Sequence, residues 1–488
     1  MHMEYHSYTE EDIKNRINID NPWWQPDSQI DPYFEEMTPR PYLELLYPLV
    51  KEKKINRAVV IMGPRRVGKT VIINHIIQKL ISEGFDPKRI VYSSVDTPIY
   101  TKLSLEKILT LAANITSSSL KEPMYVFFDE VQYLKDWEIH LKSLVDTFRN
   151  IKFIASGSAA AALRLKSQES GAGRFTNFIL PPLSFFEFIE LSGNSSKLKM
   201  KIDESKNKRR FYIPFNRNSQ ELLDNLFEEY INYGGYPELL HKEETKINME
   251  RYIKGDIIEK VLLKDLPGLY GIQDIQELNA LFSSLAYNTG KETSLDSLSK
   301  NSGVAKNTIK RYIEYLEAAF LIKIFRRVDF NSKVFKRDNF FKVYLVNSSM
   351  RSALFSPTKR NNSDFGYMVE TAIFSQWFHS DDRYKYYARW RTGEVDLVYI
   401  NEKLKPSWAV EIKWSNRMWE SSSELKNLLE YCNNNNLKSA LVTTIDISGE
   451  KNFDSVNIEF RPASVYAYTV SRNIIELKLI QSSDSSSI

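Results

Sequence analysis

One stretch of the sequence combines residue types and a spacing that are typical of phosphate binding. Residues 63–70 are Gly-Pro-Arg-Arg-Val-Gly-Lys-Thr and fit the pattern G-x-x-x-x-G-K-[ST]. Glycines let the backbone curl so that its N–H groups point at phosphate oxygens, at a helix N-terminus that already favours anions. The lysine of this pattern reaches the β- and γ-phosphates, and the threonine hydroxyl ligates Mg²⁺. The sequence therefore predicts a site for ATP or ADP with Mg²⁺. The residues predicted to contact the nucleotide are Gly63, Pro64, Arg65, Arg66, Val67, Gly68, Lys69, Thr70, Val71 and Ser158.

A second group of candidates lies at the ends of two apolar runs. Asp129 and Glu130 follow the run Met-Tyr-Val-Phe-Phe. There, Asp129 would hold the Mg²⁺ shell together with Thr70, and Glu130 would orient an attacking water. Ser156 and Ser158 end the next run, where a hydroxyl would reach the γ-phosphate side. The alternatives are an ordinary acidic strand end for the carboxylates and a Ser-Gly-Ser turn for the serines.

Arg174 is a candidate for the cation that stabilises charge in a phosphoryl-transfer transition state. It follows Gly171 and Gly173 in a segment that the sequence predicts to be a loop. An arginine on such a loop can act in cis or from a neighbouring subunit. A solvated arginine is the alternative. The predicted catalytic residues of the nucleotide site are Glu130, Lys69 and Arg174.

The elements around these candidates predict a doubly wound α/β fold. Apolar runs at 58–62, 90–96, 124–130 and 152–158 are typical of buried parallel strands, and helical periodicity separates them. In such a sheet the ligand lies at the carboxyl ends of the strands, where all of the polar candidates fall. The strand, loop and helix context around residues 63–70 supports the phosphate-binding assignment.

A third group of candidates lies near the C-terminus and could hold metal ions. Glu370 opens an amphipathic helix, Asp396 lies on a predicted strand, and Glu411 and Lys413 lie on the next. Residues two apart on a strand point to the same face, so Glu411 and Lys413 are predicted to lie together. Three carboxylates and a lysine can bind one or two divalent cations, activate water and stabilise a phosphorane-like transition state. The alternative is a fold that binds DNA or protein without cleaving it.

Residues 291–328 have the pattern of a helix-turn-helix followed by a wing. The turn lies at Ser302-Gly303, and the second helix has an apolar stripe. Polar residues at its N-terminal end lie where a recognition helix contacts DNA. These candidates are Lys306, Asn307, Lys310 and Arg311. A spacer or a protein-interaction module is the alternative.

Several of these motifs together resemble one family. The runs GPRRVGKT, FFDEVQYL, SGS and GRF, then PLSFFEF at 182–188 and YGGYPE at 233–238, are similar to AAA-type ATPases of bacteria and archaea with a C-terminal nuclease-like domain. Asp396 and Glu411-x-Lys413, with Glu370 on the helix before them, resemble the PD-(D/E)xK core. The chain departs from the family at Asn347, where an aspartate is frequent.

The resemblance implies a fold class and functions for this chain. It implies an AAA-type αβα sandwich of the P-loop NTPase class with a helical lid, a winged helix-turn-helix and a C-terminal α/β restriction-endonuclease-like domain. It also implies that Arg174 is an arginine finger or a sensor. The predicted domains are a 1–40 arm, a 41–190 ATPase core, a 191–288 lid and connector with a basic insertion, a 289–330 winged helix, a 331–478 nuclease-like domain and a 479–488 tail.

Composition limits the class of protein and its partners. Apolar residues make up 42% of the 488 positions, and there is a single cysteine, Cys432, so a disulfide framework is excluded. The net charge of +4 does not by itself indicate a nucleic-acid partner. No run is long enough to span a membrane, and we expect a soluble cytoplasmic protein. Three functions remain open: an ATPase that controls a DNA-acting domain, a nucleotide-controlled switch for a protein partner, and a homo-oligomeric remodelling motor.

Overall fold

The fold is taken from a computed structural model that describes most of the chain in two compact units. The described residues are 8–26, 30–158, 173–198, 201–203, 210–212, 217–240, 247–334, 339–380, 384–453 and 455–485. Unit 1 comprises residues 1–180 and 478–488, and unit 2 comprises residues 181–477. Across the described residues, no helix combines the length and apolar character that crossing a bilayer requires.

Unit 1 is built on a parallel sheet with helices before and between its strands. The sheet has five strands in the order β2-β3-β4-β1-β5. The described helices and strands are α1 Glu10–Asp20, α2 Pro32–Glu35, α3 Tyr42–Lys51, β1 Ala58–Met62, α4 Lys69–Ser82, β2 Ile90–Ser94, α5 Leu105–Thr116, β3 Met124–Asp129, α6 Trp137–Thr147, β4 Ile151–Gly157 and β5 Phe175–Ile179. The apolar runs of β1, β3 and β4 are buried along their whole length, which confirms the prediction that they are buried strands of a parallel sheet.

The N-terminal arm covers the edge strand of this sheet. The side chain of Asn21 pairs with the backbone of Tyr92, accepting from its N–H at 2.7 Å and donating to its carbonyl at 2.9 Å. The indole N–H groups of Trp23 and Trp24 both donate to the carbonyl of Ile90. An edge strand has unpaired backbone groups, so these contacts satisfy the outer side of β2.

Unit 2 contains a nine-stranded mixed sheet in the order β15-β16-β14-β13-β12-β11-β9-β10-β8. Before it come α7 Phe185–Leu191, β6 Lys201–Asp203, β7 Arg210–Tyr212, α8 Arg217–Tyr233, the π-helical stretches Glu250–Glu259 and Val261–Asp265, α9 Leu266–Tyr270 and α10 Ile275–Tyr287. The elements from the large sheet onwards are β8 Glu292–Ser294, α11 Leu295–Ser302, α12 Lys306–Ala318, β9 Ile322–Val328, β10 Phe340–Leu345, α13 Ser349–Phe355, α14 Phe365–Trp377, β11 Lys385–Arg389, β12 Glu394–Ile400, β13 Pro406–Glu411, α15 Arg417–Glu420, α16 Lys426–Asn434, β14 Ser439–Thr444, β15 Gly449–Phe453, β16 Val456–Pro462 and α17 Ala463–Ser485.

The segment that the sequence assigns to a winged helix-turn-helix contains two helices followed by two antiparallel strands, and its assignment as a winged helix stays a prediction. Ser294 caps α11 by accepting from the N–H of Ser297, and Gly303 follows with a φ of +74°. A residue with positive φ ends a helix favourably when it is glycine. Helix α12 begins at Lys306, and the antiparallel strands β9 and β10 follow.

One parallel pairing joins these strands to the C-terminal part of the sheet. Tyr387 of β11 lies opposite Arg327 of β9. The strands that the sequence assigns to a winged helix and to a nuclease-like domain therefore form one continuous sheet. Side chains from β10 can consequently meet side chains from β12.

Candidate functional site

The phosphate-binding segment connects β1 to α4 in unit 1. Gly68 precedes the helix with a φ of +90°, a conformation that glycine adopts without steric cost. A Cβ atom at Gly63 would lie 2.1 Å from the carbonyl oxygen of Leu180, so this position also requires glycine. Both glycines of the motif are therefore explained by the backbone path of the loop.

Lys69 is folded back onto this loop. Its Nζ donates to the carbonyl oxygens of Pro64 at 2.9 Å and of Gly63 at 3.3 Å, and the side chain is buried. The loop carbonyls thus hold the ammonium group beside the N-terminus of α4. That position places the positive charge of Lys69 where an anion would bind.

Asp129 at the end of β3 is the centre of a hydroxyl network. Its Oδ2 accepts from Thr70 Oγ1 at 2.6 Å and from the hydroxyl of Tyr92 at 3.0 Å, and its Oδ1 accepts from Ser156. Burial and the charge of Asp129 raise the pKa of Tyr92 well above its ordinary value, so the tyrosine stays a donor. The Thr70 and Asp129 oxygens are the kind of ligands that Mg²⁺ prefers, and their contact fits the predicted metal position.

Glu130 lies beside Asp129 in a left-handed conformation with a φ of +55°. Its N–H lies 3.2 Å from Ser156 Oγ and its carboxylate accepts from the amide of Gln132. The amide oxygen of Gln132 in turn accepts from the N–H of Ser158 at 3.1 Å. Burial raises the pKa of Glu130, Lys69 opposes this shift, and the charge of Asp129 adds to it. The four residues that the sequence predicts at the strand ends, Asp129, Glu130, Ser156 and Ser158, therefore lie together.

Three residues of this site were missed by the sequence analysis. Gln132 and Tyr92 contact the two carboxylates, and Arg40 donates from Nη1 to the carbonyl oxygen of Val67 at 2.8 Å. Gln132 lies inside the motif FFDEVQYL, which was the available signal for it. Arg40 and Tyr92 had no such signal, because each reaches the site through contacts that are distant in sequence.

The structure does not bring Arg174 to the phosphate-binding loop of the same chain. Its carbonyl accepts from the N–H of Ala58, at the start of β1, and its guanidinium pairs with Asp146. The loop lies at the other end of β1, roughly 15 Å away for a five-residue strand. Action of Arg174 in cis is therefore not supported by this geometry, and action from a neighbouring subunit stays a prediction.

Unit 2 brings the C-terminal candidates together in one acidic cluster. Lys413 Nζ lies 2.9 Å from Asp396 Oδ2 and 2.8 Å from Glu411 Oε1. The N–H of Ile412 also donates to Asp396 at 2.9 Å. Glu370 reaches the same group of side chains from α14 through Lys342, which lies 3.3 Å from it and 3.7 Å from Asp396.

Lys342, Tyr344 and Glu394 are members of the acidic cluster that the sequence analysis missed. Lys342 Nζ lies 2.6 Å from Glu394 Oε1, and the hydroxyl of Tyr344 donates to Glu370 at 2.6 Å. Within the part of the chain that the structure describes, no three acidic, histidine or cysteine side chains converge with the geometry of a metal site. Metal binding by Glu370, Asp396 and Glu411 as a set therefore stays a prediction, and the ammonium group of Lys342 lies between two of them.

Asn347 occupies a position where the family frequently has an aspartate, and its side chain forms hydrogen bonds with residues outside the acidic cluster. Its Oδ1 accepts from the N–H of Ser349 at 2.9 Å and from its hydroxyl at 2.7 Å, and its Nδ2 donates to Tyr230. A Cβ atom at Gly235 would lie 2.4 Å from the Asn347 side chain. The side-chain amide of Asn347 therefore has a structural function at the end of β10. Its oxygen accepts two hydrogen bonds from Ser349, and its nitrogen donates one to Tyr230.

The buried carboxyl group of Glu411 makes the stability of unit 2 depend on pH. Burial first, and then the charge of Asp396, raises the pKa of Glu411 from 4.5 to about 7, while Lys413 opposes the shift. The folded state keeps the proton up to about pH 7, whereas the unfolded chain releases it near pH 4.5, so stability falls as the pH rises between these values.

We therefore expect Glu411→Gln to become more stabilising, relative to wild type, as the pH rises. Between pH 5 and pH 8 the difference in unfolding free energy should increase by about 2–3 kcal/mol, since each pKa unit corresponds to about 1.4 kcal/mol. The measurement is hydrogen exchange of β13 with metal chelated. A difference that is the same at both pH values contradicts the prediction, and Glu402→Gln, on an exposed turn, is the control.

The four residues predicted to contact DNA are all exposed at the start of α12. Lys306 pairs with Asp296 of α11, while Asn307, Lys310 and Arg311 follow on the outer side of the helix. Ile309 and Tyr312 of the same helix are buried. The basic face of α12 is thus accessible to a partner.

Comparisons with known proteins match parts of the chain. Residues 55–189 match the AAA domain family, and residues 224–362 match a domain family of unknown function, DUF8612. An uncharacterized protein of Haemophilus influenzae is 24% identical over 311 residues, which are 63% of this chain and 71% of that protein. An uncharacterized protein of Methanocaldococcus jannaschii is 25% identical over 356 residues, covering 71% of this chain and 73% of that protein.

Solved structures with a detectable likeness include two of the replication initiator DnaA. AMPPCP-bound DnaA from Aquifex aeolicus is 17% identical, with 59% of this chain and 92% of that chain covered at a TM-score of 0.28. DnaA bound to AMPPCP and single-stranded DNA is 16% identical, with the same coverage and TM-score. These TM-scores are too low to support an inference. The family match and the parallel sheet with its phosphate-binding loop together show that residues 55–189 form an AAA-type P-loop domain.

Proposed function

We propose that the protein binds and hydrolyses ATP, and that its nucleotide state controls a C-terminal unit that interacts with DNA. The observation that supports hydrolysis most directly is the 2.6 Å hydrogen bond between Thr70 and Asp129, with Glu130 beside it. Phosphoryl transfer requires a cation on the phosphates, a ligand pair for Mg²⁺ and a carboxylate that orients water. Unit 1 has a residue for each of these requirements.

Each residue of the nucleotide site has a separate task in this proposal. Lys69 leaves the carbonyl oxygens of Pro64 and Gly63 and neutralises the β- and γ-phosphates. Thr70 and Asp129 would hold Mg²⁺, which would neutralise phosphate charge. Glu130 accepts a hydrogen bond from the attacking water, and Gln132 keeps its carboxylate in place. Ser158, whose hydroxyl is buried and has no partner among the described residues, is available to the γ-phosphate.

The nucleotide part of the proposal is tested by Lys69→Ala. We expect the dissociation constant for ATP to increase at least 100-fold, because the variant loses the ammonium group that the loop carbonyls hold beside the N-terminus of α4. Isothermal titration calorimetry measures the binding, with Lys79→Ala, a partly exposed lysine in the last turn of the same helix, as the control. An affinity for ATP within threefold of wild type would sink the proposed site.

The DNA part of the proposal is supported by the exposed basic end of α12. Lys310 and Arg311 lie where a recognition helix contacts phosphates or bases. Replacing both by alanine should weaken binding of duplex DNA and reduce its dependence on salt. Fluorescence anisotropy with and without ATP tests both the contact and its control by nucleotide. Unchanged DNA binding in this variant favours the alternative, a nucleotide-controlled assembly switch whose C-terminal unit binds a protein partner or a second copy of the chain.

A second candidate function, metal-dependent cleavage of DNA, is supported by the contacts of Lys413 with Asp396 and Glu411. A lysine between two carboxylates can hold a water or a scissile phosphate close to a divalent cation. The test is incubation of single-stranded, duplex and branched DNA with the protein and Mg²⁺ or Mn²⁺. Absence of cleavage on every form removes this candidate and leaves ATP hydrolysis unaffected. All of these functions are consistent with the cytoplasmic location that we propose.

A further inference from the structure

We propose that Lys342 is a built-in cation of the acidic cluster, and that the cluster therefore takes one divalent cation, on the side of Glu411, instead of two. The inference rests on the second proposed function only for the choice of ligand. It concerns the number of metal ions and the residue that determines this number.

Lys342 lies in the position that a first cation would take. Its ammonium nitrogen is 2.6 Å from Glu394, 3.3 Å from Glu370 and 3.7 Å from Asp396, and its side chain is 5% exposed. Three carboxylates around one buried cation are the arrangement expected of a metal site. Here strand β10 places a lysine there, and Tyr344 from the same strand completes the hydrogen bonding of Glu370.

Asp396 separates the two halves of the cluster. Its Oδ1 faces Lys342, while its Oδ2 accepts from Lys413 and from the N–H of Ile412. The negative charge of the carboxylates on the Lys342 side is thus already compensated by the ammonium group of Lys342. A divalent cation on that side would have to displace a buried ammonium group.

The Glu411 side is incompletely compensated. Glu411 Oε1 contacts Lys413, but its Oε2 is buried and has no hydrogen-bond partner among the described residues, and the whole residue is 7% exposed. A buried carboxylate oxygen without a partner is costly, and a cation removes that cost. This oxygen is the observation that points to a ligand.

The charge of the cluster favours one divalent cation over two. Four carboxylates, Glu370, Glu394, Asp396 and Glu411, face the ammonium groups of Lys342 and Lys413. Arg389 pairs with Glu394 and with Glu292, and Arg327 also pairs with Glu292. Five carboxylates therefore face four cationic side chains, and an excess of at most one negative charge is too small to hold two divalent cations. A single Mg²⁺ or Mn²⁺ held by one or two carboxylates, with water as the remaining ligands, is an ordinary arrangement.

The test is the number of Mn²⁺ ions that the full-length protein binds without nucleotide or DNA, measured by electron paramagnetic resonance of free Mn²⁺. We expect one ion in wild type, one in Lys342→Arg, and two in Lys342→Met, where three carboxylates lose their internal cation. Glu411→Gln should weaken the wild-type site at least tenfold. Glu402→Gln, on an exposed turn outside both sites, should leave the number unchanged.

Three results would overturn the inference: two ions in wild type, none in wild type, or an unchanged number in a folded Lys342→Met variant. If Lys342→Met does not fold, Lys342→Gln retains a hydrogen-bond donor for Glu394 and should gain the second ion. Even if neither variant folds, the number of Mn²⁺ ions that wild type binds tests the inference, since none or two would overturn it. If wild type binds one Mn²⁺ ion but cleaves no DNA, the cleavage function is removed and this inference is kept. If wild type cleaves DNA and binds two ions, the cleavage function is kept and this inference is removed.

Discussion

Glu130→Gln should reduce ATP hydrolysis by about 100- to 1,000-fold, the range that removal of a positioned general base produces. Glutamine has the same shape and keeps a hydrogen-bond acceptor for Gln132, but it has no negative charge with which to accept a proton from water. Lys69, Thr70 and Asp129 are unchanged, so the dissociation constant for ATP should remain within threefold of wild type.

The measurement separates chemistry from binding. Steady-state phosphate release gives kcat, and calorimetry with a non-hydrolysable analogue gives the affinity. Glu106→Gln, the same change on the exposed first turn of α5, is the control and should hydrolyse ATP at the wild-type rate. If Glu130→Gln retains a third or more of the wild-type kcat, another group orients the water and the task assigned to Glu130 is wrong.

The nucleotide site was predictable because its geometry follows from local rules. The motif at 63–70 fixes the loop, and the burial of the runs before Gly63 and Asp129 is typical of parallel strands of one sheet, in which β4 lies between them. Carboxyl ends of parallel strands lie at the same edge, so Asp129 had to approach Thr70. The family match at residues 55–189 agrees with this part of the sequence analysis.

The sequence left open whether Arg174 acts in cis or from a neighbouring subunit, and the strand after it determines where Arg174 lies. Residues 175–179 mix half-buried and exposed side chains and lack the continuous apolar run of the other strands. Their pattern therefore predicts no strand after the loop that carries Arg174. Because it forms β5 and lies parallel to β1, Arg174 is held at the amino edge of the sheet, away from the phosphates.

Lys342 could not be recognised from sequence because its environment is assembled from distant segments. A lysine flanked by Phe341 and Val343 is the pattern of a strand residue that faces solvent. Its burial arises only when β10 joins the same sheet as β12 and α14 packs beside them. The carboxylates that surround it come from 28 to more than 50 positions further along the chain.

Asp396→Ala should be strongly destabilising for unit 2. The carboxylate accepts from Lys413 and Ile412 and lies close to Lys342, and it is 5% exposed. Its removal leaves two ammonium groups with fewer counter-charges and a buried N–H without an acceptor. Breaking a buried ion pair by removing one partner typically costs about 3–5 kcal/mol, and we expect the lower end of this range because the Lys413 side chain is 38% exposed. Native-state hydrogen exchange of β12 and β13 measures the loss of opening free energy, and Glu402→Ala on the exposed turn between these strands is the control.

A double-mutant cycle shows whether this loss comes from charge or from packing. Asp396→Asn retains the shape of the side chain and should therefore lose less unfolding free energy than Asp396→Ala. Lys413→Met should also lose unfolding free energy as a single variant. If the two charges stabilise each other, Asp396→Asn combined with Lys413→Met will cost less than the two single losses added together. Losses that simply add, or an Asp396→Ala variant as stable as wild type, would mean that the ion pair at this position contributes nothing to the fold. The cluster would then be a set of charges that do not stabilise one another, and the one-cation inference would lose its structural basis.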